Sequence, residues 1–111
     1  MSRGLNKVML LGQLGREPEM RYTSSGMPVT SFSVATNRTW MTSSGEQRET
    51  TDWFNVVAWH DLAEICHACL YKGCSVYIEG RLQTRNWETE TGQHLYRTEV
   101  VAEDMIQLSH K

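Results

Sequence analysis

No stretch of the 111-residue chain stays apolar for the ~18–20 residues that a bilayer-spanning helix needs. The N-terminal MSRGLNKVMLLGQLG lacks the apolar core and cleavage site of a secretory signal, so the expected address is the cytoplasm. Cysteine is scarce: Cys66, Cys69 and Cys74 are an odd number crowded into one short segment, which suits reduced thiols better than a disulfide framework. A basic excess is also missing, since the formal net charge is −2 and the pI about 6.1. Any attraction for a polyanion must therefore come from local placement of Lys and Arg, with the acids segregated elsewhere. The chain shows no internal repeat and no low-complexity segment, and its length fits one domain spanning residues 1–111.

What is present is mostly β pattern, with β-branched, aromatic and aliphatic residues alternating with polar ones between Gly, Ser, Pro and Asn clusters. A first strand is expected over residues 6–15, with Val8 and Leu10 on one face, Met9 and Leu11 on the other, and burial on both sides. Arg-Glu-Pro ends it. A second strand, 28–37, follows the turn at Ser24 to Gly26 and turns Phe32 and Val34 to the core. MTSSGEQRET reads as a hairpin loop. The third strand, 50–59, separates Phe54, Val56 and Ala58 from Trp53, Asn55, Val57 and Trp59. Over 61–71 the period changes to helical, with Leu62, Ile65, Cys66, Cys69 and Leu70 on the apolar side and Gly73 as the stop. A fourth strand, 75–87, sends Val76, Ile78 and Leu82 inward and Tyr77, Arg81, Arg85 and Trp87 outward; after ETETG a fifth, 94–102, carries Tyr96, Thr98 and Val100 on one face. Three strands, one helix and two strands predict an all-β domain with one helix, a five-stranded Greek-key barrel of the oligonucleotide-binding (OB-fold) type.

Aromatic and basic residues interleave on the outward faces. Trp40, Trp53, Trp59 and Trp87 offer π-faces on which bases of any sequence stack, and cationic side chains beside them track phosphates. The candidate phosphate contacts are Arg3, Lys7, Arg21, Arg38, Arg48, Lys72, Arg81, Arg85 and Arg97, of which Arg38, Arg81 and Arg85 lie nearest the aromatics in sequence. The plainer alternative places the tryptophans in the core or at a subunit contact and the cations on a solvated surface. Phe54, Val56 and Ala58 already supply the inward face of the third strand, which leaves Trp53 and Trp59 facing a ligand or another subunit.

The blocks SRGLNKVMLLGQLGREPEMRY, ATNRTW, TDWFNVVAWHDLAE and KGCSVYIEGRLQTRNWETETG cover nearly the whole chain, and together they resemble the bacterial single-stranded DNA-binding protein family. The resemblance implies a homotetramer around which single-stranded DNA wraps during replication, recombination and repair, without sequence preference, and hence a nucleoid-associated protein with no cofactor. It also implies base stacking by Trp40, Trp53 and Trp87, and by Trp59 where relatives often carry Phe. The chain departs from the family's pattern at Asn55, Asp61 and Asn86, where many members are basic, and at Phe54, where a His is common at a subunit contact. It ends at Lys111 without the linker and acidic tail that recruit replication and repair proteins in typical members, so that docking is in doubt.

Three other functions compete with this reading. Cys66, His67, Cys69 and Cys74 resemble half of a zinc site, but no second pair accompanies them, and a core role for the thiols is the expectation. Catalysis is not expected: His60, Asp61 and His94 come with no nucleophile, metal cluster or phosphate loop. An accessory protein of the same fold that has ceded strand coating would have little use for four stacking positions.

Overall fold

The computed structural model describes residues 3–109; Met1, Ser2, His110 and Lys111, the last of them the chain's end, lie outside the described residues. Six strands and one helix follow in the order β1 (Val8–Leu14), β2 (Glu19–Tyr22), β3 (Pro28–Met41), β4 (Gln47–Trp59), α1 (His60–Cys69), β5 (Ser75–Glu88) and β6 (His94–Gln107). The strands form one sheet in the order β1-β5-β6-β4-β3-β2, which closes on itself where Gln13 and Leu14 of β1 pair with Ala35 and Val34 of β3. The contact of β4 with β6, Val56 with Val100 and Val57 with Val101, is parallel and every other pairing antiparallel. The closed five-stranded barrel expected from the pattern is borne out, with β2 as an added strand on the edge of β3.

Closure turns one parity of each strand inward. Leu10 and Leu14, Phe32 and Val34, Val56 and Ala58, Val76 and Ile78, and Val100 and Ala102 fill the barrel, and Cys66 of α1 and Leu70 just after it join them from one end. Thr30 is the buried polar residue there; its hydroxyl donates to the Ala63 carbonyl at 2.6 Å, which ties the helix to β3. Two glycines let strands approach closely: an added Cβ at Gly12 would overlap the Ala35 carbonyl of β3, and one at Gly80 the Val101 carbonyl of β6. Gly80 also sits at the register shift between β5 and β6.

Three of the hairpins turn on one device. In TSSGM (23–27), TSSGE (42–46) and TETGQ (89–93) the Thr N–H donates to the fifth residue's carbonyl, and that residue's N–H donates back to the Thr hydroxyl. The glycine takes φ of 87°, 87° and 84°, a left-handed conformation that costs glycine nothing.

The structure corrects several expectations. Glu19–Tyr22 is a strand beyond the five expected; it pairs with β3 alone, so it needs no second apolar face. The hairpin loop shrinks to residues 42–46, because β3 and β4 run on past the barrel as a solvated ribbon with no core side to reveal it. Met9 and Leu11, expected to be buried, are each 65% exposed, since the outer side of β1 has nothing of this chain over it. Leu82 lies beyond the barrel end and is also exposed, as are Ile65 and Cys69, because α1 presents Ala63 and Cys66 to the core instead. The helix stops at Cys69, and Gly73 serves the following turn with φ of 88°. β6 continues to Gln107 to cover β5. His60 and Asp61 open α1 rather than ending a strand, and His60 takes φ of 59° at that corner. Burial pushes the Cys66 thiol up to about 12, an inert small hydrophobe. Among the described residues no three metal-ligating side chains converge, and no helix is long and apolar enough to cross a membrane.

Candidate nucleic-acid interface

Strand parity builds an outward face on the side of β4 away from the core. Trp53, Asn55, Val57 and Trp59 point there, opposite Ala35, Ser33, Ser31 and Val29 of β3. Small neighbours leave the large rings standing clear. The Trp53 indole is 61% exposed and lies over Gly15, where a Cβ would collide with the ring. Gly15 is itself held by a hydrogen bond from its N–H to the Ser33 carbonyl at 3.1 Å, so the ring has a fixed seat.

The other two tryptophans stand on the two arms that project from the barrel. Trp40 is on the β3–β4 ribbon, and its Nε1–H donates to Thr50 Oγ1 across the ladder at 3.0 Å. Its strand parity is that of Arg38, opposite to Ala35 and Asn37, so Trp40 and Trp53 lie on opposite sides of the ladder. Trp87 is on the β5–β6 hairpin, opposite Leu95, with the Arg85 guanidinium carbon 5.9 Å from its ring centroid. All four indoles thus present surface to solvent, with Trp59 half-buried at the foot of the face.

Beside Trp59 the face dips into a cavity of about 300 Å³ lined by Arg21, Tyr22, Thr23, Val29, Ser31, Val57, Arg85 and Glu99. A second of about 210 Å³ shares Arg21, Ser31, Val57, Arg85 and Glu99 with it and adds Arg16, Glu19 and Arg97. Val57 of β4, buried and paired with Val101 of β6, lines both. The second hollow therefore gathers four arginines, with Glu19 and Glu99 beside them, although the whole chain is acidic. This is a local basic excess of the kind that the composition required.

The candidate cations divide into groups. Arg21, Arg85 and Arg97 line the hollows, and Arg16, absent from the expected set, joins them from the segment between β1 and β2. Arg38 pairs with Asp52 at 3.1 Å and Arg48 with Glu46 at 2.8 Å on the ribbon, in exposed pairs that a competing anion opens at little cost. Arg81 lies 4.0 Å from Glu103. Lys7 is engaged elsewhere: it pairs with Glu79 at 2.9 Å on the outer side of β1 and β5, and Tyr77 donates to the same carboxylate at 2.7 Å. The hydrogen bonds from Lys7 and Tyr77 hold Glu79 below the usual carboxylate range, and Lys7 and Tyr77 are raised in turn. Neither Arg3 nor Lys72 lines a hollow; Lys72 is in the turn after α1, its backbone N–H donating to Glu17 at 3.2 Å. Glu99 and Arg16 were missed. Glu99 abuts the apolar run VVA, a signal for a carboxylate held at the edge of a core.

Comparison with known proteins gives the family and the fold. The model of the "Single-strand binding protein family" matches residues 5–108. "Single-stranded DNA-binding protein 1" of Chlorobaculum tepidum is 53% identical over 112 aligned positions, covering all of this chain and 69% of that protein. Among solved structures, a Plasmodium falciparum SSB in complex with ssDNA superposes with a TM-score of 0.88 at 34% identity, covering 98% of this chain and 99% of that one. A deletion mutant of the single-stranded DNA binding protein from Thermus aquaticus gives 0.86 at 34% identity, covering 98% of this chain and 53% of that one.

Proposed function

The chain belongs to the single-strand binding protein family, and from that premise we propose that it coats single-stranded DNA without sequence preference and protects it during replication, recombination and repair. Bases stack on Trp40, Trp53, Trp59 and Trp87, and phosphates run along Arg16, Arg21, Arg38, Arg48 and Arg81. The observation that carries this reading is the outward face of β4, where Trp53 stands exposed and the half-buried Trp59 lines an arginine-bordered hollow. A duplex hides its base faces and cannot use the indoles; a single strand can use both elements at once.

The test is quenching of tryptophan fluorescence on titration with oligo-dT at low and high salt, beside duplex DNA. Strong quenching by the single strand alone is expected, with log K falling against log salt by about 0.7 for each phosphate neutralised. Quenching by neither nucleic acid at micromolar protein would remove strand coating and leave a role in protein docking.

Coating by a homotetramer fits a second surface. Met9 and Leu11 on β1 stand beside Tyr77 on β5 and Ile106 on β6 along adjacent rungs of the outer sheet, an apolar strip that a lone small domain rarely leaves in water. Sedimentation velocity is expected to show one species of four chain masses; a monomer at micromolar concentration would refute assembly through this strip.

A further inference from the structure

β6 carries a carboxylate beneath the middle of the binding face. Glu99 has the outward parity of Arg97 and Val101, yet its side chain is only 2% exposed, and both hollows include it in their walls. A carboxylate removed from water keeps its charge only if cations and hydrogen bonds replace the water. Arg85 supplies both, with Nε 2.9 Å from Oε1 and Nη2 3.5 Å from Oε2, and Arg97 Nε stands 3.9 Å from Oε2.

Two consequences follow from this geometry. The Nε–Nη2 edge of Arg85, one of its two phosphate-chelating forks, is already engaged with Glu99. Its guanidinium carbon stands over the Trp87 ring, 5.9 Å from the centroid, and guanidinium planes stack on bases. Second, a phosphate brought to the floor meets a fixed negative charge across partly desolvated space, where repulsion is stronger than in water. A base edge carries no net charge and brings N–H donors that a carboxylate accepts.

Resting on the strand-binding reading, we propose that Glu99 is a specificity-determining residue: it makes the floor beside Trp59 accept bases and refuse phosphates. The strand then enters base-first, and its phosphates are kept to the rim at Arg16 and Arg21. The affinity for bare backbone is lowered more than the affinity for a strand with bases.

The test compares an oligo-dT with an abasic phosphodiester strand of equal length, by fluorescence anisotropy, on the full chain and its variants. Glu99→Gln keeps the shape and loses the charge. It is expected to bind the abasic strand about tenfold more tightly while oligo-dT changes by less than about threefold, so the preference for bases falls. Arg97→Gln retains the buried carboxylate with one partner fewer, and is expected to move the preference the opposite way; it keeps the question open to measurement if Glu99→Gln does not fold. Equal changes for both strands in both variants would overturn the proposal, leaving Glu99 as general electrostatics. Wild-type protein that binds both strands alike would overturn it too, with strand binding intact. Failure of the wild type to bind oligo-dT at all would overturn both readings together.

Discussion

Gly12→Ala and Gly80→Ala are each expected to destabilise the domain by about 3 kcal/mol or more, lowering the melting temperature by roughly 10–20 °C. Each Cβ would point inward, since Gly12 shares the parity of Leu10 and Leu14, and Gly80 that of Val76 and Ile78. It would meet backbone there, not a flexible side chain: the Ala35 carbonyl for Gly12 and the Val101 carbonyl for Gly80. Neither carbonyl can withdraw alone. Ala35 is held by Gln13 across the seam that closes the barrel, and Val101 by Arg81 in one ladder and Val57 in the other. Relief must come from separating strands, which uncovers the core that both strands cover. With total stabilities of about 5–15 kcal/mol for domains of this kind, such a loss is a large fraction of the whole. Gly4→Ala is the control, because nothing lies within 4 Å of its Cβ, and a change within about 0.5 kcal/mol is expected. Urea unfolding followed by circular dichroism measures all three. A Gly12 or Gly80 variant as stable as the Gly4 variant would show that the barrel seams are looser than the strand pairing indicates.

The parts of the fold legible in the sequence were those with an apolar side. Phe32 and Val34, Val56 and Ala58, and Val76 and Ile78 announce their strands because closure buries one parity of each. The ribbon that carries Trp40 announces nothing: residues 38–41 and 47–49 are exposed on both sides, and only their cross-strand pairing orders them. Met9 and Leu11 misled for the converse reason. Their hydrophobicity promised a core, while the strip they form lies on the outer sheet, where only a surface outside this chain can cover it.

The site divides along the same line. Trp53 and Trp59 were placed together by strand parity, which needs only a count along one strand. The gathering of Arg16, Arg21, Arg85 and Arg97 around one hollow depends on β2 and on the β4–β6 contact, neither of which has a local signature. Nor does a sequence tell which carboxylate a cation engages. Lys7 and Arg85 look alike on paper, but Lys7 pairs with Glu79 on a distant outer side and Arg85 with Glu99 in the wall of the hollows.

Trp53→Ala is expected to weaken binding of oligo-dT by about 1–3 kcal/mol, roughly 5- to 150-fold, with little loss of stability. The two halves of that statement separate stacking from the packing role that a tryptophan more often has. Trp53 is 61% exposed and makes its seat on a glycine, so truncation removes a platform and leaves no cavity in the core. Trp59 is the contrasting case. It is half-buried, pairs with Val29 and immediately precedes α1, so Trp59→Ala is expected to lose binding and stability together. Trp53→Phe keeps a π-face and is expected to retain most of the affinity. Anisotropy titrations at one fixed salt, with melting curves of the same samples, decide between the roles. Unchanged affinity in Trp53→Ala would remove Trp53 from the stacking set; a large drop in melting temperature would place it at a subunit contact, since within one chain its ring covers nothing whose exposure is costly.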